Sequence, residues 1–492
     1  MIFGAGPAGL AAGWVLARRG DAPVVLERSD VVGGISRTVE WKGYRFDIGG
    51  HRFFTRFDEV QALWEEVLGE AFLVRPRLSR IYYAGRFYDY PLKARNALMN
   101  LGPVESARCL ASYARVRVRP HADESSFDGW VRNRFGDRLF DIFFKSYTEK
   151  VWGIPTTEIG AEWASQRIKN LDLGKAVKRA LRFSPGDTSV VSLVEHFHYP
   201  RTGPGLMYES MARQMTEAGG ELRFRSGVVR VEREGLRVVR AWAGAKEAPV
   251  AVEGDAFLSS MPLTLLIRAM DPPAPPEVIT SANALKFRNL LCVNLVVDHP
   301  TLFPDNWIYV HDKRLRLGRI QNFKNWSPAM VPDPRHTTLG LEYFCSDDDD
   351  LWRMDDEKLV ALGTSEIAQA GLLGAARVLD GMVVRAPKAY PVYERGYEAH
   401  LATVVAWLRR FENLQPVGRY GMFKYNNADH SILTALLAVE NLDGATHDIW
   451  ATNTDSDYHE IRPNRPPRTP GHGSPKSESG TLPEAPLLEN DL

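Results

Sequence analysis

Cysteine is scarce in this 492-residue chain, which carries only Cys109, Cys292 and Cys345. Three scattered thiols build neither a disulfide framework nor a C-x-x-C site. They are expected to be reduced, mostly buried thiols of a cytoplasmic protein. Long apolar runs are missing too. No stretch approaches the roughly 20 residues of a spanning helix, so no transmembrane segment is expected. The opening Met1-Ile2-Phe3-Gly4 has neither the basic nor the apolar region of a secretory signal. Net charge is the third absence. The 61 Lys and Arg balance 61 Asp and Glu. That excludes a bulk pull toward nucleic acid and leaves any anionic ligand to a local arginine cluster. Neither a Walker motif nor a G-x-S-x-G elbow occurs. His196-Phe197-His198 places two imidazoles on one strand face without a third ligand. The aspartates at 347–350 lack EF-hand spacing and read as a solvated loop. No metal is therefore expected.

What is present is ordinary globular composition, 44% apolar and 25% charged, and one strong motif. Gly4-Ala5-Gly6-Pro7-Ala8-Gly9 is G-x-G-x-x-G, and Glu27 follows about 20 residues on. A very short strand precedes the motif, a helix is expected over residues 8–19, and a strand over 23–27. In that setting Gly4 permits the tight turn, and Gly6 lets backbone approach a pyrophosphate. Gly9 lets the helix pack on the sheet. The helix N-terminus faces the negative charge, and Pro7 counts among the expected cofactor contacts. Glu27 can accept hydrogen bonds from an adenosine ribose.

The next segment separates FAD from NAD. Glu27-Arg28 runs into Val32-Gly33-Gly34-Ile35-Ser36-Arg37-Thr38. A second glycine pair, with an arginine past the ribose contact, suits an extended dinucleotide whose pyrophosphate is bracketed. This resembles the signature of the glutathione-reductase-type FAD fold, which implies cofactor contacts from Arg28, Gly34, Ser36 and Arg37. Val228 resembles the strand residue that brackets the adenine. Asp255 through Pro262 is similar to the proline-terminated strand of amine-oxidase-like flavoproteins.

The remaining chain reads as largely helical over residues 59–181, with segments such as Val60–Leu68 and Phe127–Phe144, as a hairpin over 219–234 and as buried strand over 290–297. Further helices are expected over 358–373 and 432–442. From about residue 462 the chain is rich in Pro, Gly and Ser without apolar periodicity, as in a disordered tail. The fold class expected is α/β. A Rossmann-like FAD-binding domain, discontinuous over 1–58, 200–284 and 405–460, carries a mainly helical insertion at 59–199. A β-sheet substrate domain follows at 285–404 and the tail at 461–492.

Five further segments resemble UDP-galactopyranose mutases, more the eukaryotic than the bacterial type. Gly49-Gly50-His51 is similar to that family's loop beside the flavin ring. Tyr147-Thr148-Glu149-Lys150-Val151-Trp152-Gly153-Ile154-Pro155, followed by Trp163, Gln166 and Arg167, is similar to its K-V-W block. Trp307-Ile308-Tyr309 with Arg319 resembles its substrate-facing strands, and Tyr390-Pro391-Val392 its A-Y-P-V element. Gly418-Arg419-Tyr420-Gly421, Lys424-Tyr425 and Asn427-Ala428-Asp429-His430-Ser431 resemble its C-terminal flavin motif.

The resemblance implies FAD, held non-covalently and used reduced, with NAD(P)H as the candidate external reductant. It implies cofactor contacts from Gly50, His51, Gly418, Arg419, Asn427, Asp429 and Ser431. It also implies catalytic roles for His51, Arg319 and Tyr425, and substrate contacts from Arg167, Tyr309, Arg319, Tyr390 and Tyr425. Arginine forks suit a diphosphate, and tyrosines suit a sugar. Asn427 or Asp429 could cap the helix that follows. The reaction implied is isomerisation of the sugar ring of a nucleotide-sugar.

The family's Y-P-F-Q element reads Tyr90-Pro91-Leu92-Lys93 here, without the glutamine. That leaves the nucleobase open and keeps an oxidase, dehydrogenase or desaturase beside the mutase. A flavin-binding protein without catalysis is the third reading. The cluster Arg75, Arg77 and Arg80 is either an anion holder or a solvated face.

Overall fold

The computed structural model describes residues 1–90, 92–161 and 195–453. Arg167, with Trp163 and Gln166, and the tail at 461–492 lie outside those residues, as does the expected helix beyond residue 161.

Ile2 and Phe3 make a strand of only two residues, buried on both faces. It lies at the centre of a five-stranded parallel sheet ordered Leu414–Pro416, Phe257–Ser259, Ile2–Phe3, Val24–Leu26, Glu221–Arg223. Strands this far apart in sequence can be parallel only through long crossovers. Helix Pro7–Arg18 starts directly after the first strand. Its small residues let it wedge between neighbours: a Cβ on Gly13 would lie 2.5 Å from Met215 Sδ and one on Gly9 1.9 Å from the Gly4 carbonyl oxygen. Helices Gly205–Glu217 and Ala428–Leu442 flank it. This is the strand–helix–strand unit expected at the N-terminus.

A seven-stranded sheet runs Arg377–Pro391, Phe287–Asp298, Thr337–Cys345, Arg319–Asn322, Trp307–Val310, Ser79–Tyr83, Arg86–Asp89. Two of its long strands are covered on both faces: every residue of Thr337–Cys345 is buried, as are residues 288–297 of Phe287–Asp298.

Three expectations are corrected. Residues 219–234 are not a hairpin. Glu221–Arg223 joins the parallel sheet, while Val228–Glu234 pairs antiparallel with Arg237–Ala243 in a four-stranded sheet. Arg225, at φ 52, turns the chain between them. The segment at 59–181 is not helical throughout, because Phe72–Pro76, Ser79–Tyr83 and Arg86–Asp89 are strands. Their alternating burial is the period-2 signature that a helical reading misses. The last helix begins at Ala428, four residues before the expected start.

The three cysteines are buried free thiols. Among the described residues, no helix is long and apolar enough to cross a membrane. No group of three or more His, Cys, Asp or Glu among them could hold a metal ion. His198 stacks on Phe72, with ring centroids 4.5 Å apart. The aspartate run is the solvated loop expected, with Asp347, Asp348 and Asp350 exposed; Asp347 accepts from Asn289 at 2.7 Å, Asp349 pairs with Arg288 at 3.1 Å, and Asp350 pairs with Arg316.

Candidate active site

The glycine loops fold onto each other. Gly33 N–H donates to the Ala5 carbonyl at 2.8 Å. Gly34 adopts φ +56°, and a Cβ there would sit 3.3 Å from Gly6 Cα. A side chain on either glycine would fill the cleft between them. Arg37 Nη1 donates to the Gly34 carbonyl at 3.1 Å, and burial lowers its pKa. Glu27 ties the loops together: Oε2 accepts from Ala5 N–H, and Oε1 from Ser29 N–H and Oγ–H, each at 2.8 Å. The residue expected to meet a ribose therefore also organises the backbone around it. Arg28 lies against Gly227, whose added Cβ would be 3.0 Å from Arg28 Cγ, so it borders Val228. Ser36 is buried in a short helix, Gly34–Ser36, beside this cleft.

The C-terminal motif arrives at the same place. Gly418 sits at φ +79°, and a Cβ there would lie 2.9 Å from Ala8 Cβ and 3.9 Å from Ser431 Cβ. Its N–H donates to Thr434 Oγ1 at 2.9 Å. The N-termini of Pro7–Arg18 and Ala428–Leu442 thus converge, and neither carries a side-chain cap. Asn427 stands at the cap position but makes no capping bond, and Asp429 is buried in the first turn. This corrects the expected cap. The uncapped N–H groups and the facing glycines bring backbone donors together at one place, with the polarity a dinucleotide pyrophosphate needs.

A second cluster grows from sheet register. Tyr309 pairs with Arg319, Arg319 with Glu342, and Glu342 with Cys292. Directly opposed residues point to one face, so this row faces one way. Arg319 Nη2 donates to Glu342 Oε2 at 2.5 Å and to the Tyr390 hydroxyl at 2.8 Å. Gln321 Nε2 donates to Glu342 Oε1 at 2.6 Å. The loop carrying His51 lies over this face: an added Cβ on Gly50 would be 2.9 Å from Gln321 Nε2, and one on Gly49 3.5 Å from Glu342 Oε2. Only glycine lets the backbone come this close.

Burial, then Arg319 and Arg419, push His51 down to about 4, so its imidazole is neutral at pH 7. Arg419 lies 5.0 Å over the Tyr390 ring and 4.1 Å over Tyr425. Its Nε donates to the Ala389 carbonyl at 3.0 Å and its Nη1 to Asn426 at 3.1 Å. Tyr390 and Tyr425 stack at 5.7 Å. Tyr147 stacks on His311 at 4.8 Å and meets Tyr309 edge-on at 5.6 Å. Burial raises the pKa of Tyr147 and Tyr390 well above the usual phenol range.

The structure therefore brings His51, Arg319, Tyr309, Tyr390, Arg419 and Tyr425 into one neighbourhood. Glu342, Gln321 and Tyr147 belong to it and were missed as site residues. Glu342 had a signal: it is the one charged residue in the otherwise uncharged strand Thr337–Cys345. The lysines of the K-V-W and K-Y elements have structural partners instead. Lys150 Nζ donates to the carbonyls of Val310, Asp312 and Leu317. Lys424 Nζ donates to those of Trp450 and Thr452. Arg80 pairs with buried Asp305 at 2.6 Å, and Arg77 lies 5.4 Å over Trp307. Part of the basic cluster is thus structural rather than a solvated face.

The sequence pattern of the family described as flavin containing amine oxidoreductase matches residues 7–391. The chain is 27% identical to the phytoene dehydrogenase of Streptomyces griseus, over 68% of this chain and 71% of that one. It is 23% identical to the 1-hydroxycarotenoid 3,4-desaturase of Flavobacterium sp. (strain P99-3), over 48% of this chain and about half, 52%, of that one. A crystal structure of reduced UDP-galactopyranose mutase superposes with TM-score 0.79 at 22% identity, covering 92% of this chain and 97% of that one. That likeness bears out the expected fold class, a Rossmann-like FAD-binding domain with an inserted substrate part.

Proposed function

The chain belongs to the family of flavin containing amine oxidoreductases, and on that premise we propose that it is a flavin-dependent mutase acting on the sugar ring of a nucleotide-sugar, similar to UDP-galactopyranose mutase. The observation that carries this reading is the polarity of the cluster. Arg319, Glu342, Gln321 and Arg419 stand among tyrosines next to the flavin-facing loop. A hydrocarbon placed there would leave Arg319 Nε and Gln321 Oε1 without partners, at a cost of roughly 1–3 kcal/mol each. A hydroxylated, anionic substrate would complete them.

The cofactor is a flavin, and we assign it as FAD held non-covalently. The Gly4–Gly9 and Gly33–Gly34 loops, Glu27, Arg37 and the helix N-terminus at Ala428 would hold it. When bound, the flavin supplies a redox-active ring that is nucleophilic in its reduced state. The chain's own tasks are to bind, orient and exclude water. Arg319 would face the anionic group, while Tyr309, Tyr390 and Tyr425 would orient the sugar. Neutral His51 would hold the loop against the ring without adding a third cation.

Two measurements test this. Acid precipitation should release yellow flavin into the supernatant, and flavin left in the pellet would contradict non-covalent binding. Anaerobically, the reduced enzyme should convert a nucleotide-sugar to its ring isomer with no net electron transfer. The second reading, an FAD-dependent oxidoreductase, draws on the desaturase and dehydrogenase relatives. It predicts that substrate bleaches the oxidised flavin at roughly 450 nm. Bleaching without isomerisation would put that reading first.

A further inference from the structure

Glu342 is 1% exposed, and both its carboxylate oxygens are spoken for. Arg319 holds Oε2 and Gln321 holds Oε1. A carboxylate in this position fixes two neighbouring side chains at once. The atoms it leaves over are informative. Arg319 Nε and Gln321 Oε1 are buried without a hydrogen-bond partner. Unpaired buried polar atoms are rare in folded proteins, and each calls for an explanation. Here one donor and one acceptor stand on side chains held by the same carboxylate, on the face covered by the His51 loop. Charge matters as well. Arg319 and Arg419 supply two positive charges and Glu342 offsets one, while Arg52 and Arg77 stand 5.3 and 5.4 Å over the ring of Trp307, the residue paired with Gln321.

We propose that Glu342 is a positioning residue that also sets charge specificity: it aims Arg319 and Gln321 at the substrate and offsets the positive charge of Arg319. This rests on the reading that Arg319 meets an anionic substrate. With its carboxylate opposite Arg319, the site attracts a substrate anion but does not trap small polyanions. With that carboxylate replaced by an amide, Arg319 goes uncompensated in a poorly hydrated place, where charge is weakly screened.

The test uses the holoenzyme and inorganic pyrophosphate as the probe, read by calorimetry and by the flavin's fluorescence. Glu342→Gln preserves shape and removes charge. It should bind pyrophosphate about tenfold or more tightly than wild type at low ionic strength, with a steeper salt dependence and a lower kcat. Glu342→Asp keeps the charge and shortens the reach. Its pyrophosphate affinity should stay near wild type while kcat falls about tenfold. Combining Glu342→Gln with Arg319→Gln should abolish the gain in affinity, because the effect works through Arg319.

Pyrophosphate binding that is measurable in wild type, lost in Arg319→Gln and unchanged in Glu342→Gln would overturn the role of Glu342 and leave the anionic reading standing. Pyrophosphate binding that Arg319→Gln leaves untouched would overturn the anionic reading itself, and this proposal with it. Should Glu342→Gln be recovered only as aggregate, Glu342→Asp decides: wild-type kcat in that variant refutes the positioning role.

Discussion

Arg319→Lys keeps the positive charge and removes the geometry, so it isolates what the guanidinium does. In the structure Arg319 spends Nη2 on Glu342 and Tyr390 and keeps Nε unpartnered. Its side chain is 18% exposed, so little water can substitute for a lost donor. Lysine offers one nitrogen on a shorter stem. That nitrogen can hold Glu342, which preserves the buried pair and most of the stability it underwrites. It cannot also supply the donors that Arg319 keeps for a ligand. Losing one hydrogen bond to a charged group costs about 1.5–3 kcal/mol, which is roughly a 10- to 150-fold rise in Kd. The flavin groove should be unaffected, because its contacts come from other loops. The assay is an anaerobic titration of the reduced enzyme with nucleotide diphosphates and nucleotide-sugars, with flavin content measured in parallel. A variant that matches wild type on the true substrate refutes the assignment. A variant that also loses flavin shows that the substitution damaged the fold rather than the contact.

Other perturbations have signs fixed by the structure. Glu27→Ala removes three hydrogen bonds that tie the two glycine loops together, so FAD should dissociate about tenfold or more readily; unchanged occupancy on dilution would sink the role. Gly9→Ala places a Cβ 1.9 Å from a backbone oxygen, a clash that no rotamer relieves, and the purified protein should be colourless. Stoichiometric flavin in that variant would show that the helix can shift. Burial pushes Asp47 up to about 7, with Tyr199 and Thr38 opposing the shift. Its folded pKa lies above its unfolded one, so its contribution is complete at low pH and lost as pH rises through 7. Asp47→Asn should therefore raise Tm relative to wild type at pH 8 and by clearly less at pH 5, where the loss has only begun to accrue. Equal effects at both pH values would mean that Asp47 is not protonated in the fold.

Much of the candidate site was legible as residue types at telling intervals. The glycine fingerprint, Glu27, the Gly49-Gly50-His51 loop and the Tyr309–Arg319 spacing all lie in short segments. In each, a backbone constraint or a side-chain chemistry leaves a local trace. Asn427 shows where such traces mislead. It stands where a cap is expected, yet its side chain makes no capping bond, because residue type at a position does not by itself decide where the side chain points once the helix end is packed.

The sequence by itself determined the elements whose cause is local. The helix after Gly6, the buried strands of continuous apolar residues and the FAD-type order of the first loops follow from steric permission and hydrophobic period. Tertiary structure decided what pairs with what. Glu221–Arg223 leaves an apparent hairpin for a parallel sheet whose other strands lie far off in the chain. Gly418 comes to rest against Ala8, and Arg319 finds a carboxylate on the neighbouring strand. Such pairings depend on register between distant segments. A single chain's sequence carries no signal of that register until burial on both faces selects one alignment and leaves Glu342 opposite Arg319.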